Sequence, residues 1–426
     1  MQAPALPRSQ PTSTVVPLRL PLSFLLSGTI ASVLLGIGAI FLLPMALTDP
    51  QAMQVLALVH TATLGWFTMT IMGAMYQLVP VVLITRLRGV ALAYSQVALY
   101  LAGVVLLISG FWLTALPLLA VGGSLVVAAA FVFALHLLAT ILLAPRRPLT
   151  AAYLMASLLY LLLVVSLGLT AALNLRWGFL GAATYHLLLA HLVIGLGGWL
   201  GLTIMGISYK LVPMFALVHR KSERLGWGLL ILLNAGLIGL ALSLGLAASA
   251  WLVDLFGGML ALGLLGFVFD FGRMLSARQK HTIDVMQRFT VAGAGYLALG
   301  VVLCSAIVVF HLDGAFGPVW LAAAYLLLMG WIGQTILGNL QKIVPFLIWN
   351  QRYASRVGRA KVPLLRDLIH LPTARVAFWL LNAGILAEAA ALALANPLAI
   401  SIAAAPVALA LGLCGVNLGG VFYRRA

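Results

Sequence analysis

The stretch from His60 to Pro80, HTATLGWFTMTIMGAMYQLVP, carries the motif around which the chain is organised. The motif occurs twice more, as GWLGLTIMGISYKLVP at 198–213 and as GWIGQTILGNLQKIVP at 330–345. In each copy a tryptophan precedes a proline by 14 residues, and a Thr-Ile-x-Gly block lies between them. Corresponding residues of successive copies are 133 and 132 positions apart. The sequence therefore predicts a threefold internal repeat.

The composition is that of a membrane protein. Of the 426 residues, 64% are hydrophobic and 8% are charged, and the mean hydropathy is +1.15. Apolar runs long enough to cross the ~30 Å hydrocarbon layer follow one another with short gaps. Since a helix satisfies its own backbone hydrogen bonds, these runs predict an all-α membrane protein. The two cysteines, Cys304 and Cys414, lie inside apolar runs, and we interpret them as packing residues.

The apolar pattern predicts twelve transmembrane helices. They fall into three four-helix repeats, approximately 21–144, 151–275 and 289–423, which we expect to surround a pseudo-threefold axis within one membrane domain, 21–426. The predicted spans are 21–48, 53–84, 90–115, 117–144, 151–174, 180–216, 225–248, 250–275, 289–311, 315–349, 375–395 and 397–423.

A second motif supports the repeat. Leu-x-x-Ala-Gly occurs in the third span of each set, at 99–103, 232–236 and 380–384. Its glycine follows the proline of the first motif by 23 residues in two sets and by 39 in the third. The third set therefore contains an insertion, which is the basic segment 350–375. We interpret this segment as a contact for anionic lipid headgroups or for a partner protein.

The charges predict the orientation of the helices. Most lysines and arginines fall in the tails and loops on the side where the N-terminus lies, here called side A, whereas the opposite side B has Arg176 as its one clear basic residue. The positive-inside rule makes side A cytoplasmic, with residues 1–20 as a cytoplasmic tail. We therefore expect a bacterial or archaeal cytoplasmic (inner) membrane protein. The net charge of +16 is spread along one membrane face, which argues against a nucleic-acid partner.

Ionisable side chains inside membrane spans are energetically costly and often functional. His186 and His191 differ by five positions, about 140° around an α-helix, so they do not share one face. The candidates are His60 in span 2, His136 in span 4, His186 and His191 in span 6, Asp270 in span 8 and Glu388 in span 11. Four of them, His136, His186, Asp270 and Glu388, could form a polar relay. The alternative for Asp270 is a structural ion pair with Arg273.

The first copy of the motif resembles helix II of the haem-copper oxidase superfamily. It is most similar to the large subunit of nitric oxide reductase and to the C-type oxidases, and twelve helices with internal pseudo-threefold symmetry are typical of that superfamily's subunit I. The resemblance implies that His60 binds a low-spin b-type haem from the outer third of the membrane. The matching residues are His60, Thr61, Trp66, Met72, Gly73, Tyr76, Leu78, Val79 and Pro80.

The chain departs from the family at the other metal ligands. In the family, histidines of helix X bind both haems, and a histidine pair in helix VII binds copper. The corresponding spans here, 315–349 and 225–248, contain no histidine. The family's binuclear centre therefore cannot be assembled from its usual ligand set, and copper remains a cofactor expected only through the resemblance.

Three interpretations stay open. In the first, the chain is a haem-binding relative with a redox or nitric-oxide-related role, an oxidoreductase if it is an enzyme. The second ligand then comes from span 10, as Tyr325 or Met329, or from span 6, as His191. The second interpretation is a relative of the NnrS proteins, which are twelve-span membrane proteins associated with haem, copper and nitric oxide tolerance. The third is a non-catalytic scaffold subunit or a transport-like protein without cofactor. The expected partners are membrane lipids and other membrane or electron-transfer subunits.

Overall fold

The computed structural model describes residues 16–218, 222–279, 282–314 and 316–424. These residues form helices and connecting turns, without a β-strand. Twelve helices are long and apolar enough to cross a membrane, which confirms the predicted number of spans. They are α1 Arg19–Leu47, α2 Met53–Val82, α3 Val90–Trp112, α4 Leu116–Leu142, α5 Leu149–Trp177, α6 Ala183–Ala216, α7 Arg224–Gly245, α8 Ala250–Ser276, α9 Val285–Phe310, α10 Pro318–Arg356, α11 Leu371–Ala393 and α12 Pro397–Gly420.

The helix boundaries lie within a few residues of the predicted ones, with one larger difference. Helix α10 continues to Arg356, seven residues beyond the predicted end at 349, so part of the basic insertion is helical. The rest of the insertion contains a short 3-10 turn, Leu365–Leu368. The predicted tail, 1–20, lies outside the described residues up to position 15, and α1 already begins at Arg19.

The three helices that carry the Trp–Pro motif are the most buried spans. In their most apolar windows, 67% of the residues of α2, 50% of α6 and 78% of α10 are buried, against 11–44% in the other nine. The peripheral helices pack as the hairpins α3–α4, α7–α8 and α11–α12. Further contacts of α1 with α12, α4 with α5 and α8 with α9 join these hairpins into a ring around the motif helices.

The glycines of the Thr-Ile-x-Gly blocks allow close helix packing, as expected from small residues at membrane helix contacts. A Cβ atom added at Gly73, Gly206 or Gly338 would lie 2.6 Å from the Cβ atom of an aromatic residue on a neighbouring helix. The aromatic residues are Phe24 on α1, Tyr153 on α5 and Phe289 on α9. Each is on the first helix of the predicted repeat to which its glycine belongs.

The glycines of the second motif have the same role in the hairpins. At Gly236 an added Cβ would lie 2.7 Å from the backbone nitrogen of Leu260, and at Gly103 it would lie 2.8 Å from that of Val126. At Gly384 it would lie 2.6 Å from the Cγ2 atom of Val407. Each of these glycines therefore lets the third helix of a set pack closely against the backbone of the fourth.

The three motif tryptophans are buried where α2, α6 and α10 meet. The Nε1 atom of Trp199 donates a hydrogen bond to Oγ1 of Thr68, at 2.9 Å. The Trp331 ring lies against Gly201, and the Trp66 ring lies against Gly333, since an added Cβ at either glycine would be 3.1 Å from Cη2. Thr68, Gly201 and Gly333 each stand two residues after the tryptophan of their own copy. The tryptophans therefore contact equivalent positions in a closed cycle.

Each motif helix contains an eight-residue π-helical segment, which the sequence analysis did not predict. The segments are Thr61–Thr68, Ile194–Gly201 and Leu326–Gly333. All three begin five residues before the motif tryptophan. A π turn accommodates one extra residue. The half of the helix before it, toward side B, is therefore rotated by roughly 100° relative to a continuous α-helix. His60 lies immediately before the first of these segments.

Candidate functional site

His60 is held at the end of the first turns of α2. Its Nδ1 atom lies 2.8 Å from the backbone oxygen of Leu56. The imidazole ring stacks on Phe111 of α3, with 4.9 Å between the ring centroids and 27° between the ring planes. A backbone hydrogen bond and an aromatic contact thus fix the orientation of the ring.

His191 on α6 is held in a similar way. Its Nδ1 atom lies 3.1 Å from the backbone oxygen of Val164 on α5. The ring also lies against Gly168 on α5, because an added Cβ at that glycine would be 3.0 Å from Cε1 of the imidazole. A side chain at position 168 would displace the ring, so this glycine helps to position His191.

The structure brings His60 and His191 together. Their imidazole rings lie close enough to interact electrostatically. In each ring Nδ1 donates its proton to a carbonyl oxygen, so Nε2 carries the lone pair. No hydrogen bond within the described residues occupies either Nε2 atom. A histidine that binds a metal through one ring nitrogen usually donates a hydrogen bond from the other, and both residues satisfy this condition.

The third copy of the motif is different at the corresponding position. Tyr325, which stands six residues before its tryptophan as His60 does, donates a hydrogen bond to Oε2 of Glu388 on α11. Both side chains are buried. Met329, the other candidate ligand of α10, is buried in the hydrophobic core. The Tyr325 hydroxyl is therefore already hydrogen-bonded to a carboxyl group. In contrast, the histidines of α2 and α6 each have an Nε2 atom without a hydrogen bond in the described residues.

Asparagines at matched positions of α7 and α11 accept hydrogen bonds from side chains of neighbouring helices. The hydroxyl of Tyr160 donates to Oδ1 of Asn234 at 2.9 Å. The hydroxyl of Tyr296 donates to Oδ1 of Asn382 at 3.1 Å, and this oxygen also accepts from Nε2 of Gln334.

The members of the predicted polar relay lie at opposite ends of the bundle. His136 and Asp270 are near the side-A ends of α4 and α8, whereas His186 and Glu388 are near the side-B ends of α6 and α11. His136 bonds through Nε2 to the backbone oxygen of Arg88, and His186 bonds through Nδ1 to that of Leu244. Because His186 contacts α7 and His191 contacts α5, the two histidines face different neighbours, as their spacing predicted. A relay through these residues stays a prediction.

A cluster of three or more metal-binding side chains is not formed by the described residues. A pair of histidines is nevertheless sufficient for the two axial positions of a haem iron. The arrangement at α2 and α6 can therefore serve as a haem site without a wider metal cluster.

The Gly168→Val variant is expected to disturb His191 and leave His60 in place. The new side chain would occupy the space of the His191 ring, since even a Cβ atom approaches it to 3.0 Å. If the two histidines bind a haem, we expect a reduced haem content, or a changed low-spin spectrum, at unchanged helix content by circular dichroism. Gly258→Val on α8 is the control, because an added Cβ meets nothing within 4 Å there. Equal spectra for both variants would contradict a role of Gly168 in positioning the ring.

Taken together, the fold and this histidine pair define an all-helical protein with twelve potential membrane spans and two neighbouring imidazoles in its side-B half. No protein-family model matches the chain, and no curated protein shows significant similarity to it.

Proposed function

We propose that the protein binds a b-type haem between His60 and His191 and has a redox or nitric-oxide-related role in a membrane. The observation that carries the proposal is the pair of neighbouring imidazoles, which interact electrostatically and each have Nδ1 bonded to a backbone carbonyl and Nε2 without a hydrogen bond in the described residues. His191 is favoured over Tyr325 and Met329 as the second ligand, because the Tyr325 hydroxyl is already bonded to Glu388.

The surroundings of the two rings fit this role. Stacking on Phe111 and packing against Gly168 restrict both imidazoles, so little conformational entropy remains to be lost when a ligand binds. The neighbouring carbonyls hold each ring in the tautomer that a metal needs. When both axial positions are taken by histidine, a haem supplies one-electron transfer. This chemistry favours a redox role over the direct binding of nitric oxide.

We also propose that the chain consists of three repeats around a pseudo-threefold axis, as in subunit I of the haem-copper oxidases. This is supported by the three equivalent π-helical segments and by the closed cycle of tryptophan contacts. By the positive-inside rule, side A is cytoplasmic in a bacterial or archaeal membrane. The basic insertion would then contact anionic lipids or an electron-transfer subunit on that side.

The second candidate function is that of a scaffold subunit or transport-like protein without cofactor. The observation that favours it is the same set of histidine hydrogen bonds, because a buried histidine satisfied by a backbone carbonyl is also an ordinary packing arrangement. His186 shows the same kind of bond, to the backbone oxygen of Leu244. The two functions differ in one observable property, which is the bound haem.

The test is the visible spectrum of the dithionite-reduced protein, purified after expression with haem supplied. We expect a low-spin b-type spectrum that is lost in His60→Ala and in His191→Ala. His186→Ala is the matched control, because this histidine is on the same helix as His191 and also bonds to a carbonyl. A folded wild-type protein without haem would exclude the proposed function. Loss of haem in His60→Ala but not in His191→Ala would exclude the pairing.

A further inference from the structure

A cavity of about 70 Å³ lies between α2, α6 and α10 in their side-A halves, below the tryptophans. This volume exceeds several-fold the ~10–15 Å³ that one water molecule needs. The threonines of all three Thr-Ile-x-Gly blocks, Thr70, Thr203 and Thr335, line it. It is therefore a central space enclosed by the three copies of the motif, and it is separate from the histidine pair in the side-B half.

The cavity is closed toward side B and reaches toward side A. The lining threonines are at most 5% exposed, and the tryptophan cycle begins four residues further toward side B. Partly exposed lining residues, Phe215 of α6 and Lys342 of α10, lie on the side-A side of the three threonines. The lining also includes Leu275 of α8 and Val291 of α9, which belong to peripheral helices. The cavity therefore extends toward the side of the bundle formed by α8 and α9.

Lys342, on the side-A side of the cavity, forms an ion pair. Nζ of Lys342 lies 2.9 Å from Oδ2 of Asp284 and 4.0 Å from the centroid of the Phe215 ring. The lysine is therefore paired with a carboxylate and rests on an aromatic face. A neutral ligand fits this environment better than an anion, because an anion would have to compete with Asp284 for the cation.

The wall offers polar atoms suited to a hydroxyl or carbonyl group. Nδ2 of Asn339 donates to the backbone oxygen of Thr335 at 2.9 Å and to Oγ1 of Thr290 at 3.5 Å. Oδ1 of Asn339 accepts no hydrogen bond from any described residue. A neutral ring that carries a hydroxyl or carbonyl can bond to these atoms, while the remaining lining is mainly aliphatic.

We propose that this cavity binds the ring of a membrane quinone or quinol, with the Asn339 amide and the Thr290 hydroxyl holding a ring oxygen. A phenolic hydroxyl donates to Oδ1 of Asn339 and accepts from the Thr290 hydroxyl, and the apolar tail lies toward α8 and α9. The site is distinct from the proposed haem site and does not require that a haem be bound.

The test is equilibrium binding of a photoreactive decyl-benzoquinol to the full-length protein in quinone-free lipid nanodiscs, followed by mapping of the cross-linked peptides. We expect saturable binding and cross-links in α9 and α10. Ala74→Phe, which fills the cavity, should abolish binding, and Asn339→Leu should weaken it about five- to tenfold through one lost hydrogen bond. Ala128→Phe, on the exposed face of α4, is the matched control and should bind as the wild type.

Absence of saturable binding by the folded wild-type protein overturns the proposal. So does binding that persists in Asn339→Leu with unchanged affinity, or a co-purified phospholipid in the cavity that quinol does not displace. If Ala74→Phe fails to fold, a quinol with both hydroxyls methylated provides the second measurement, because it cannot donate to Asn339 and should bind more weakly. Each of these results is obtained whether or not the protein contains haem, so failure here leaves the haem proposal in place.

Discussion

The Tyr325→Phe variant is expected to lose about 3 kcal/mol of folding free energy. In the wild type the Tyr325 hydroxyl donates to Oε2 of Glu388, and Oε1 of Glu388 has no partner among the described residues. Glu388 is 1% exposed, so water cannot replace the hydroxyl. Without it, both carboxyl oxygens would be buried without a hydrogen bond. The measurement is the unfolding free energy of the detergent-solubilised protein.

A double-mutant cycle with Glu388→Leu tests the physical reason for this loss. The variant with both substitutions should be more stable than Tyr325→Phe alone, because it leaves no buried carboxyl group, and we expect a coupling energy of about 2 kcal/mol. Tyr160→Phe is the matched control, since that hydroxyl donates to the neutral amide of Asn234 and its removal should cost about 1 kcal/mol. If Tyr325→Phe costs no more than Tyr160→Phe, the carboxyl group is not what makes this contact important.

The twelve spans could be predicted from the sequence because hydrocarbon thickness fixes the length of an apolar run. The close contacts at Gly73 and Gly236 could also be predicted from the sequence, because a glycine that recurs at a fixed position in membrane helices is typical of a close helix contact. All of these features depend on local composition or on comparison of the copies with one another.

The histidine pair could be predicted only in part. His60 followed from the resemblance, and His191 was one of several candidates for its partner. In sequence, His191 is two residues out of register with His60, and the π-helical segments rotate the side-B halves of α2 and α6 in a way that the pattern of apolar residues does not show. The supporting contacts were missed altogether. Gly168 was the one available signal, as a glycine within the apolar run of α5.

Tyr325 shows why a residue at the position of His60 in another copy of the motif need not share its role as a ligand. It occupies the position of His60 in the third copy, and for this reason it was a candidate haem ligand. Its partner, Glu388, is 63 residues away in the sequence and on another helix. A residue match between copies predicts the position of a side chain on its helix. The neighbouring helix decides what the side chain contacts there.

The Gly236→Val variant on α7 is expected to destabilise the protein by about 3 kcal/mol or more. Its Cβ atom would be 2.7 Å from the backbone nitrogen of Leu260 and 2.9 Å from its Cα atom, so α7 and α8 would have to separate. No side-chain rearrangement can relieve a contact with backbone. We expect a lower yield of monodisperse protein after solubilisation and a lower unfolding temperature.

Gly228→Val is the matched control because it lies on the same helix, where an added Cβ meets nothing within 4 Å. Both substitutions introduce the same β-branched residue into α7, so the difference between them measures the contact with α8 and removes the effect of helix propensity. Equal destabilisation of the two variants would contradict the role assigned to Gly236. The corresponding variant at Gly103 should behave as Gly236→Val does, because it meets the backbone of Val126 in the hairpin α3–α4. A large loss at both positions would indicate that the second motif is retained in each set because it brings two helices to backbone distance.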